Sequence, residues 1–560
     1  MPKTFSEFTL TRANIDDIAS ESTKLMARWN AAETTQERVC VIEHWDQLRR
    51  GYSTESSLAY IRFTQDTQDE QRKDDKQYFD TIHPDITEHE VKFMRAVVES
   101  EHRADVSEHL GEHVLNLWDC TLATFDPVIA DDQREESKLR TEYTALLAAI
   151  RIPFNGTDYT MSTVRGLFGD ADRNIRLGSL RALSQAMGEK REELDNLYDQ
   201  LVAIRNKMAT KLGYSRYTEL GYKEMLRTDY SADDVTTFRE MVRRDIVPIA
   251  AKIRQQHAKT LGVSDYGFHD ESVRDSLGVP KPKGDHDWML DQASAMFAEM
   301  GSDFSSFFEM MRSRELLDLK SRDGKAGGGY CSSLTDHGIP FIFANFNGTQ
   351  DDVNVFTHEC GHAFQCHSSR GQRLQDYLWP TYEACEIHSM SLEMLTYPHM
   401  EKFFGDDAAR FRTGHLEGAI LFLPYGCAVD EFQHLVYDSP TASPEDRAEM
   451  WQECERRYMP WRVYNDMPHF ASGRYWQRQG HIYSRPFYYI DYCLAQVCAL
   501  QFWDLGRRDR PAAMSKYRQL CNMGGSLPFT QILDSVGLQS PFQPQVIAQM
   551  VDNLKSGLAL

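Results

Sequence analysis

The chain has 560 residues, a formal net charge of −22 and a hydrophobic fraction of 41%. A chain of this length and composition can bury a substantial core, which excludes wholesale disorder. The acidic balance argues against nucleic acid as a main partner, because phosphate binding requires clustered lysine and arginine.

The first residues, MPKTFSEFTLTR, lack the apolar core and the cleavage site of a signal peptide. The longest apolar stretch, GAILFLPYGCAV, is too short to span a bilayer. Eleven cysteines are scattered without a C-x-x-C pair, which is typical of reduced thiols in a cytoplasm. We therefore expect a cytoplasmic protein with no membrane partner. The sequence does not indicate an oligomeric state.

Most of the chain shows helical periodicity. Residues 10–150 carry apolar positions at spacings of three and four, with glutamate, lysine and glutamine between them. The segment 154–167, FNGTDYTMSTVRGL, contains turn-forming residues and predicts a break between helices. Two strong helices are predicted next, one over residues 194–214 and one from Ser231, where Asp234 completes a capping-box pattern.

The pattern changes near residue 320. Several glycines precede PFIFANF, a short apolar run bounded by turn signals that predicts a strand. Helical periodicity then resumes to the C-terminus. We predict a mainly α fold with one small β-sheet, divided into a helical N-terminal lobe of residues 1–190 and a second domain of residues 191–560.

The segment 354–367, NVFTHECGHAFQCH, predicts a helix that begins near Thr349 and Asp352. At 3.6 residues per turn, His358 and His362 fall on one side. An apolar set falls on the opposite side: Val353, Phe356, Cys360 and Phe364.

Two imidazoles four residues apart on a helix can reach one zinc ion. The intervening Glu359 lies too far round the helix to be a comfortable ligand, but it can act as general base on a water. The alternative interpretation is a pair of core histidines beside a solvated glutamate. The apolar flanks favour the metal site, because a buried histidine pair without partners is costly.

A catalytic zinc ion usually has three protein ligands, which requires a third one here. A third histidine six residues after His362 is excluded, because that position is Ser368. The helix predicted after Pro380 carries Glu383 and Glu386, and their spacing leaves both open as ligands. Glu393 on the same face is either a salt-bridge partner or an acceptor that orients a ligand.

The segment 473–496, GRYWQRQGHIYSRPFYYIDYCLAQ, concentrates one histidine and several tyrosines. The simpler interpretation is aromatic packing. The functional interpretation is a set of hydrogen-bond donors for a tetrahedral oxyanion. The aromatic side chains of this segment that we expect to pack together are His481, Tyr483, Tyr488, Tyr489 and Tyr492.

FTHECGHAFQ followed by EIHSMSLEML resembles the thimet oligopeptidase and oligoendopeptidase F family of zinc metallopeptidases, and most closely its Pz-peptidase-like branch. The resemblance covers roughly residues 200–545. It implies Glu386 as third ligand, since Ser389 and Glu393 follow at the family's offsets. Many members have histidine where this chain has Gln365.

The resemblance also implies His481, Tyr489 and Tyr492 as catalytic residues near the scissile carbonyl, with Tyr488 as the main rival. The implied fold is a two-lobed helical clam with a deep central channel and a gluzincin-type H-E-x-x-H helix, in which residues 191–560 form the catalytic metallopeptidase domain. The implied activity is that of an oligopeptidase, a metalloprotease with one Zn²⁺ per chain that cleaves internal bonds of short oligopeptides.

Four questions stay open at this stage. A zinc hydrolase of a non-peptide substrate and a non-catalytic peptide-binding protein are the alternative functions, and cobalt or manganese are alternative metals. The strand PFIFANF is expected to hold the substrate backbone by edge pairing, or else to be a core element. Glycines 327–329 form either a hinged loop or a plain turn.

Overall fold

The computed structural model describes residues 3–558, which are mainly α-helical with two small sheets. This confirms the predicted mainly α fold, and it adds a second small sheet to the one that was predicted. The helices run in chain order over α1 Ile15–Ala31, α2 Thr35–Gln65, α3 Glu70–Val98, α4 Arg103–Leu110, α5 Glu112–Thr124, α6 Ala130–Ala149, α7 Arg173–Gly188, α8 Arg191–Lys211, α9 Tyr217–Glu224, α10 Ala232–Met241, α11 Val247–Leu261, α12 His286–Met300, α13 Ser302–Ser313, α14 Gln350–Ser369, α15 Tyr382–Leu395, α16 Glu401–Phe404, α17 Ala408–Asp438, α18 Pro444–Tyr458, α19 Gly480–Ser484, α20 Tyr489–Arg508, α21 Arg510–Met523, α22 Phe529–Ser535 and α23 Pro544–Leu558.

The strands are β1 Ile152–Phe154, β2 Thr157–Tyr159, β3 Leu317–Lys320, β4 Tyr330–Leu334 and β5 Ile339–Phe346. The predicted strand PFIFANF is confirmed as part of β5. It lies in the centre of a three-stranded sheet, parallel to β3 and antiparallel to β4.

The hairpin β1–β2 lies where the sequence predicted only a break between helices. Asn155 and Gly156 connect its strands, and both have positive φ, 48° and 77°. Asn-Gly is the strongest short hairpin signal because both positions of this tight turn require the left-handed region. The dipeptide therefore carried information that the sequence analysis did not use.

The described residues form two compact units, each assembled from three chain segments. The first unit contains the residues up to Leu122, Lys281–Gly405 and Ala499–Leu538. The second contains Ala123–Pro280, Asp406–Cys498 and the residues from Gln539. The division into a lobe of residues 1–190 and a catalytic domain of residues 191–560 remains a proposal.

Large aromatic side chains form part of the core of the first unit. Trp45 stacks on Phe93 at 4.8 Å between ring centroids and meets Trp118 edge-on at 5.4 Å. All three are buried. In the second unit, the capping box predicted for Ser231 is confirmed, because the Asp234 carboxylate accepts from the Ser231 N–H at 2.8 Å.

The helices within residues 3–558 differ from membrane spans. None of them combines the length and the apolar character that crossing a bilayer requires.

Candidate metal centre

Helix α14 begins at the predicted place, with Thr349 as its N-cap residue. The Thr349 side chain makes no cap hydrogen bond. Instead, the Asp352 carboxylate accepts from the backbone N–H of Asn347 at 3.0 Å and of Gly348 at 2.7 Å. The acidic residue thus stabilises the turn before the helix rather than completing a capping box.

The two faces of α14 are as predicted. The apolar face is buried and packs on aromatic side chains, with Phe364 stacked on Phe304 at 4.0 Å between ring centroids. His358 and His362 point away from that face, and their side chains are 22% and 12% exposed. The imidazoles therefore lie at the border of the protein interior.

Helix α15 crosses α14 at Gly361, the residue between Cys360 and His362. A Cβ atom at this position would lie 2.6 Å from the backbone oxygen of His388 and 2.6 Å from the Cα of Ser389. Only glycine allows the two helices to approach so closely, because backbone atoms cannot move aside as a flexible side chain can. Gly361 was not among the predicted site residues, although its place inside the motif was a usable signal.

The close crossing brings Glu386 of α15 to the two histidines of α14. Its Oε2 lies 3.2 Å from the Nε2 of His358 and 3.5 Å from the Nε2 of His362. Ser389 donates its hydroxyl to the same oxygen at 2.9 Å. Two imidazole nitrogens and one carboxylate oxygen therefore converge on one point.

Glu393 lies behind this cluster and contacts the other nitrogen of His358. Its Oε1 is 2.7 Å from the Nδ1 of His358. Because a carboxylate only accepts, Nδ1 carries a proton, which leaves Nε2 as the nitrogen that would bind a cation. This supports the interpretation of Glu393 as an acceptor that orients a ligand.

The donor set fits a zinc ion. Nitrogen from two histidines and oxygen from one carboxylate is a common catalytic zinc set. Within residues 3–558, these three side chains are the one group of histidine, cysteine and acidic residues whose ligand atoms lie within 4.8 Å of one another. Burial disfavours charge on Glu386, but His362 and His358 hold its pKa well below the ordinary value, so the carboxylate is available to a cation.

Glu383, the other candidate ligand, lies near the start of α15. Its Oε1 accepts the hydroxyl of Thr381 at 3.0 Å, and its side chain is buried. Among the described residues it does not belong to the converging group. The geometry therefore favours Glu386, and the ligand role itself remains a proposal.

Glu359 is buried beside the cluster. Burial raises the pKa of its carboxyl, and the neighbouring His358 and His362 oppose that rise. A Cβ at Gly329 would lie 3.7 Å from the Oε1 of Glu359 and 3.3 Å from Val355. The glycine-rich segment therefore passes directly over the candidate general base.

This glycine-rich segment is tied to the sheet by side chains. The fully buried Nζ of Lys325 donates to the Oδ1 of Asp318 at 2.8 Å and to the carbonyl of Ala344 at 2.6 Å. The amide of Asn345 donates to the carbonyls of Ala326 at 2.9 Å and Gly328 at 2.8 Å. These bonds hold the backbone of the segment against the sheet, and a hinge at glycines 327–329 stays a prediction.

Strand β5 does not have the edge that the sequence analysis assigned to it. Both of its sides are paired, with β3 and with β4, so the expectation that PFIFANF holds a substrate backbone by edge pairing is wrong. Strand β4 is an edge strand of the same sheet. Ser333 of β4 is paired with Pro340 of β5, which has no N–H to donate. The register therefore favours a pair without hydrogen bonds at this position, so that the backbone groups of Ser333 and Cys331 face outward from the sheet.

The tyrosine-rich segment belongs to the second unit. The His481 ring in α19 stacks on Tyr488 at 5.5 Å and meets Tyr489 at 5.3 Å and Tyr492 at 5.8 Å, both at steep angles. Tyr483 was expected in this group, but it is fully buried elsewhere and stacks on Tyr143 at 3.8 Å. The expected contact of Tyr483 with His481 is wrong, because the helical turn of α19 directs Tyr483 away from His481.

Gln365 stands where many members of the resembled family have histidine. Its amide nitrogen donates to the hydroxyl of Ser369 at 2.9 Å and to the carbonyl of Leu378 at 2.8 Å. The residue therefore ties the end of α14 to the following loop, and it is not part of the metal cluster.

The chain matches known proteins over most of its length. Residues 5–125 match the peptidase M3 N-terminal domain, and residues 289–552 match peptidase family M3. The structure of Pz peptidase A with an inhibitor is 40% identical, with a TM-score of 0.95, over 99% of this chain and 99% of that one. The chain belongs to peptidase family M3. The resemblance to the thimet oligopeptidase and oligoendopeptidase F family is thereby confirmed.

Other relatives of this M3 chain carry the name oligoendopeptidase F. A solved structure provisionally given that name is 42% identical, with a TM-score of 0.95, over 100% of this chain and 99% of that one. The oligoendopeptidase F homolog of Lactococcus lactis subsp. lactis (strain IL1403) is 20% identical over 268 residues, 47% of this chain and 44% of that relative. The match thus spans less than half the length of this curated relative.

Proposed function

We propose that this M3 chain is a zinc-dependent endopeptidase that hydrolyses internal bonds of short, unstructured oligopeptides. The observation that carries the proposal is the convergence of His358, His362 and Glu386 beside a buried Glu359. Family membership supports the peptidase class, and the donor set supports zinc. The restriction to oligopeptides rests on the family resemblance, and the cytoplasmic location stays a prediction.

The three converging side chains would hold the ion. A zinc ion bound there would lower the pKa of a water molecule and polarise the carbonyl of the scissile bond. Ser389 holds the Glu386 carboxylate in place, and Glu393 keeps a proton on the Nδ1 of His358, so that Nε2 would be the nitrogen that binds the ion. These supporting contacts reduce the reorganisation that binding would otherwise require.

Glu359 is proposed as the general base. It would take a proton from the attacking water and pass that proton to the leaving amine. Burial moves the pKa of its carboxyl upwards, towards the range in which a carboxylate exchanges protons efficiently near neutral pH. The glycine at position 329 leaves the space beside this carboxylate free of a side chain.

His481, Tyr489 and Tyr492 are proposed as donors to the oxyanion that forms when the carbonyl is attacked. An imidazole N–H and phenolic hydroxyls are suitable donors for this purpose. Burial raises the pKa of Tyr489 well above its ordinary value, so its hydroxyl keeps its proton at neutral pH. The assignment is supported by the chemistry of these groups and by the family, whose matched range contains all three residues.

The backbone of the substrate is proposed to pair with the outer edge of β4. An extended peptide adds to an exposed strand edge through main-chain hydrogen bonds, which bind many sequences alike. Strand β4 directly follows the glycine loop that passes over Glu359, so a peptide paired there would lie near the general base.

A series of internally quenched peptides of graded length, blocked at both ends, tests the proposal. We expect cleavage at internal bonds, identified by mass spectrometry, and loss of cleavage on chelation with recovery on adding zinc. A folded protein containing the same cleavable sequence should remain intact. Cleavage that persists without metal would reject the metallopeptidase mechanism, and hydrolysis of non-peptide esters alone would favour the other zinc hydrolase class. Tight peptide binding without cleavage would instead indicate a binding protein.

A further inference from the structure

A row of polar side chains leads to His481 within the second unit. The hydroxyl of Tyr425, on α17, donates to the Oε1 of Gln479 at 3.0 Å. The amide nitrogen of Gln479 lies 2.8 Å from the Nδ1 of His481. We propose that Gln479, oriented by Tyr425, is a positioning residue that keeps the proton of His481 on Nε2, so that this imidazole acts as an N–H donor to the oxyanion. The inference rests on the proposed role of His481.

The direction of these hydrogen bonds determines the tautomer. Partial burial among aromatic rings raises the pKa of Tyr425 well above its ordinary value, so its hydroxyl keeps the proton that it donates to the Gln479 carbonyl. The amide nitrogen then faces His481, and an amide nitrogen only donates. Nδ1 must accept that bond, which leaves Nε2 as the protonated nitrogen of the neutral ring.

The aromatic surroundings hold each member of the row in place. Tyr425 meets Tyr489 edge-on at 5.7 Å and Tyr475 at 6.2 Å, so the position of its phenol ring, and with it of the hydroxyl oxygen, is fixed. The stacking on Tyr488, with an interplanar angle of 11°, fixes the plane of the His481 ring. The amide of Gln479 then fixes which nitrogen is protonated within that plane. Packing alone cannot do this, because apolar contacts do not distinguish the two tautomers.

An isosteric change at position 479 reverses the hydrogen bond. In Gln479→Glu the carboxylate can only accept, so Nδ1 must become the protonated nitrogen that donates to it. Protein labelled with ¹⁵N-histidine would be studied by NMR at a pH of about 8, above the ordinary pKa of imidazole. The signals of His481 would be identified by their absence in His481→Ala. We expect protonated Nε2 and unprotonated Nδ1 in the unchanged protein, and protonated Nδ1 in Gln479→Glu.

The same variants would be compared in cleavage of the quenched peptides. We expect Gln479→Glu to lower kcat by about 100-fold, the usual effect of losing one oxyanion donor, with a smaller change in KM. Its kcat should approach that of His481→Ala. Tyr425→Phe frees the amide to turn, so we expect both tautomer signals and a kcat between those of the unchanged protein and Gln479→Glu.

Gln452→Glu is the matched control for the change of charge. Gln452 lies on α18 in the same unit, and its amide donates to the carbonyl of Ala471 at 2.9 Å. This variant should leave the His481 signals and the kcat unchanged. Equal thermal unfolding temperatures of Gln479→Glu and Gln452→Glu would exclude a general loss of structure as the cause.

Each outcome decides the inference. A proton on Nδ1 in the unchanged protein, or a proton that stays on Nε2 in Gln479→Glu, would overturn it. A proton that moves without any effect on kcat would also overturn the positioning role. Full turnover in His481→Ala would instead reject the proposed function of His481 itself, whatever the tautomer, so the two failures are distinguishable.

Discussion

Two clusters of side chains are built from different interactions: the cluster of His358, His362, Glu386 and Glu393 in the first unit, and the aromatic cluster of His481, Tyr488, Tyr489 and Tyr492 in the second. The first joins two histidines to two carboxylates at 2.7–3.5 Å, with a third carboxylate, Glu359, buried alongside. The second packs one imidazole against three phenol rings at 5.3–5.8 Å, with a glutamine amide behind it. The first arrangement suits a cation and a base. The second places hydrogen-bond donors without adding carboxylates.

The largest expected effect separates the base from the ligands within the first cluster. Glu359→Gln should lower kcat by about 10²–10⁴-fold, since the amide cannot take up a proton. Metal content and KM should stay close to those of the unchanged protein, because Glu359 is not among the converging ligand atoms. Steady-state kinetics and elemental analysis of the same sample measure all three quantities. Retained turnover would remove Glu359 from the role of base.

The donors of the second cluster are tested by removing single hydroxyl groups. Tyr489→Phe and Tyr492→Phe should each lower kcat by about 10²-fold or more and change KM far less, because a donor to the oxyanion acts mainly in the transition state.

Tyr488→Phe is the matched comparison for these two variants. It keeps the ring that stacks on His481 and removes only the hydroxyl. A small loss is expected there. A larger loss in Tyr488→Phe than in the other two variants would exchange their roles.

The third prediction concerns how the first cluster is assembled. Gly361→Ala would force α14 and α15 apart, since the new methyl group would meet backbone atoms at 2.6 Å. We expect a loss of about 1–3 kcal/mol in the free energy of unfolding and weaker metal binding. Gly51→Ala, in α2 with no atom within 4 Å of the added carbon, should be neutral or stabilising. Equal behaviour of the two variants in thermal unfolding and metal titration would contradict the role of the crossing.

The smallest effect concerns a buried carboxyl outside both clusters. Burial raises the pKa of Glu455 to about 7. Between the unfolded value near 4.3 and this folded value, only the folded state binds the proton, so stability should fall as pH rises, by at most about 1.4 kcal/mol per pH unit. Glu455→Gln should reduce this slope in urea unfolding by the contribution of one carboxyl, while Glu224, whose pKa burial also raises to about 7, keeps its own contribution.

Glu453→Gln on the same helix is the control for that measurement. Hydrogen bonds from Arg456 and Arg457 lower the pKa of Glu453. Glu453 therefore titrates below the pH range in which Glu455 binds a proton only in the folded state. The slope should therefore remain in this variant. A slope that is unchanged in Glu455→Gln would place the titration on other groups.

The sequence predicted the two faces of α14 well, because the geometry of one helical turn determines where His358 and His362 lie. It left Glu383 and Glu386 open because residues three apart on a helix share a face. Which of the two glutamates meets the histidines depends on where α15 crosses α14. That crossing is possible because position 361 is glycine and has no Cβ atom. Contacts between distant segments are not visible in the spacing of either one.

The aromatic cluster was predicted less completely. The sequence grouped His481 with its tyrosine neighbours correctly but also included Tyr483, because proximity along the chain does not show on which side of a short helix a residue lies. The contact of Tyr425 with Gln479 joins residues 54 positions apart, so no local pattern indicates it. The central position of β5 likewise depends on the pairing of three strands that are separated along the chain. An apolar strand is typical of the centre of a sheet, but its composition does not identify its neighbours.

The most direct test of the account is the metal content of three purified proteins. The unchanged chain and Glu383→Ala should each contain one zinc ion per chain, and Glu386→Ala should contain almost none. A chain that binds no zinc even when zinc is supplied would contradict the account, and so would loss of zinc in Glu383→Ala with full retention in Glu386→Ala.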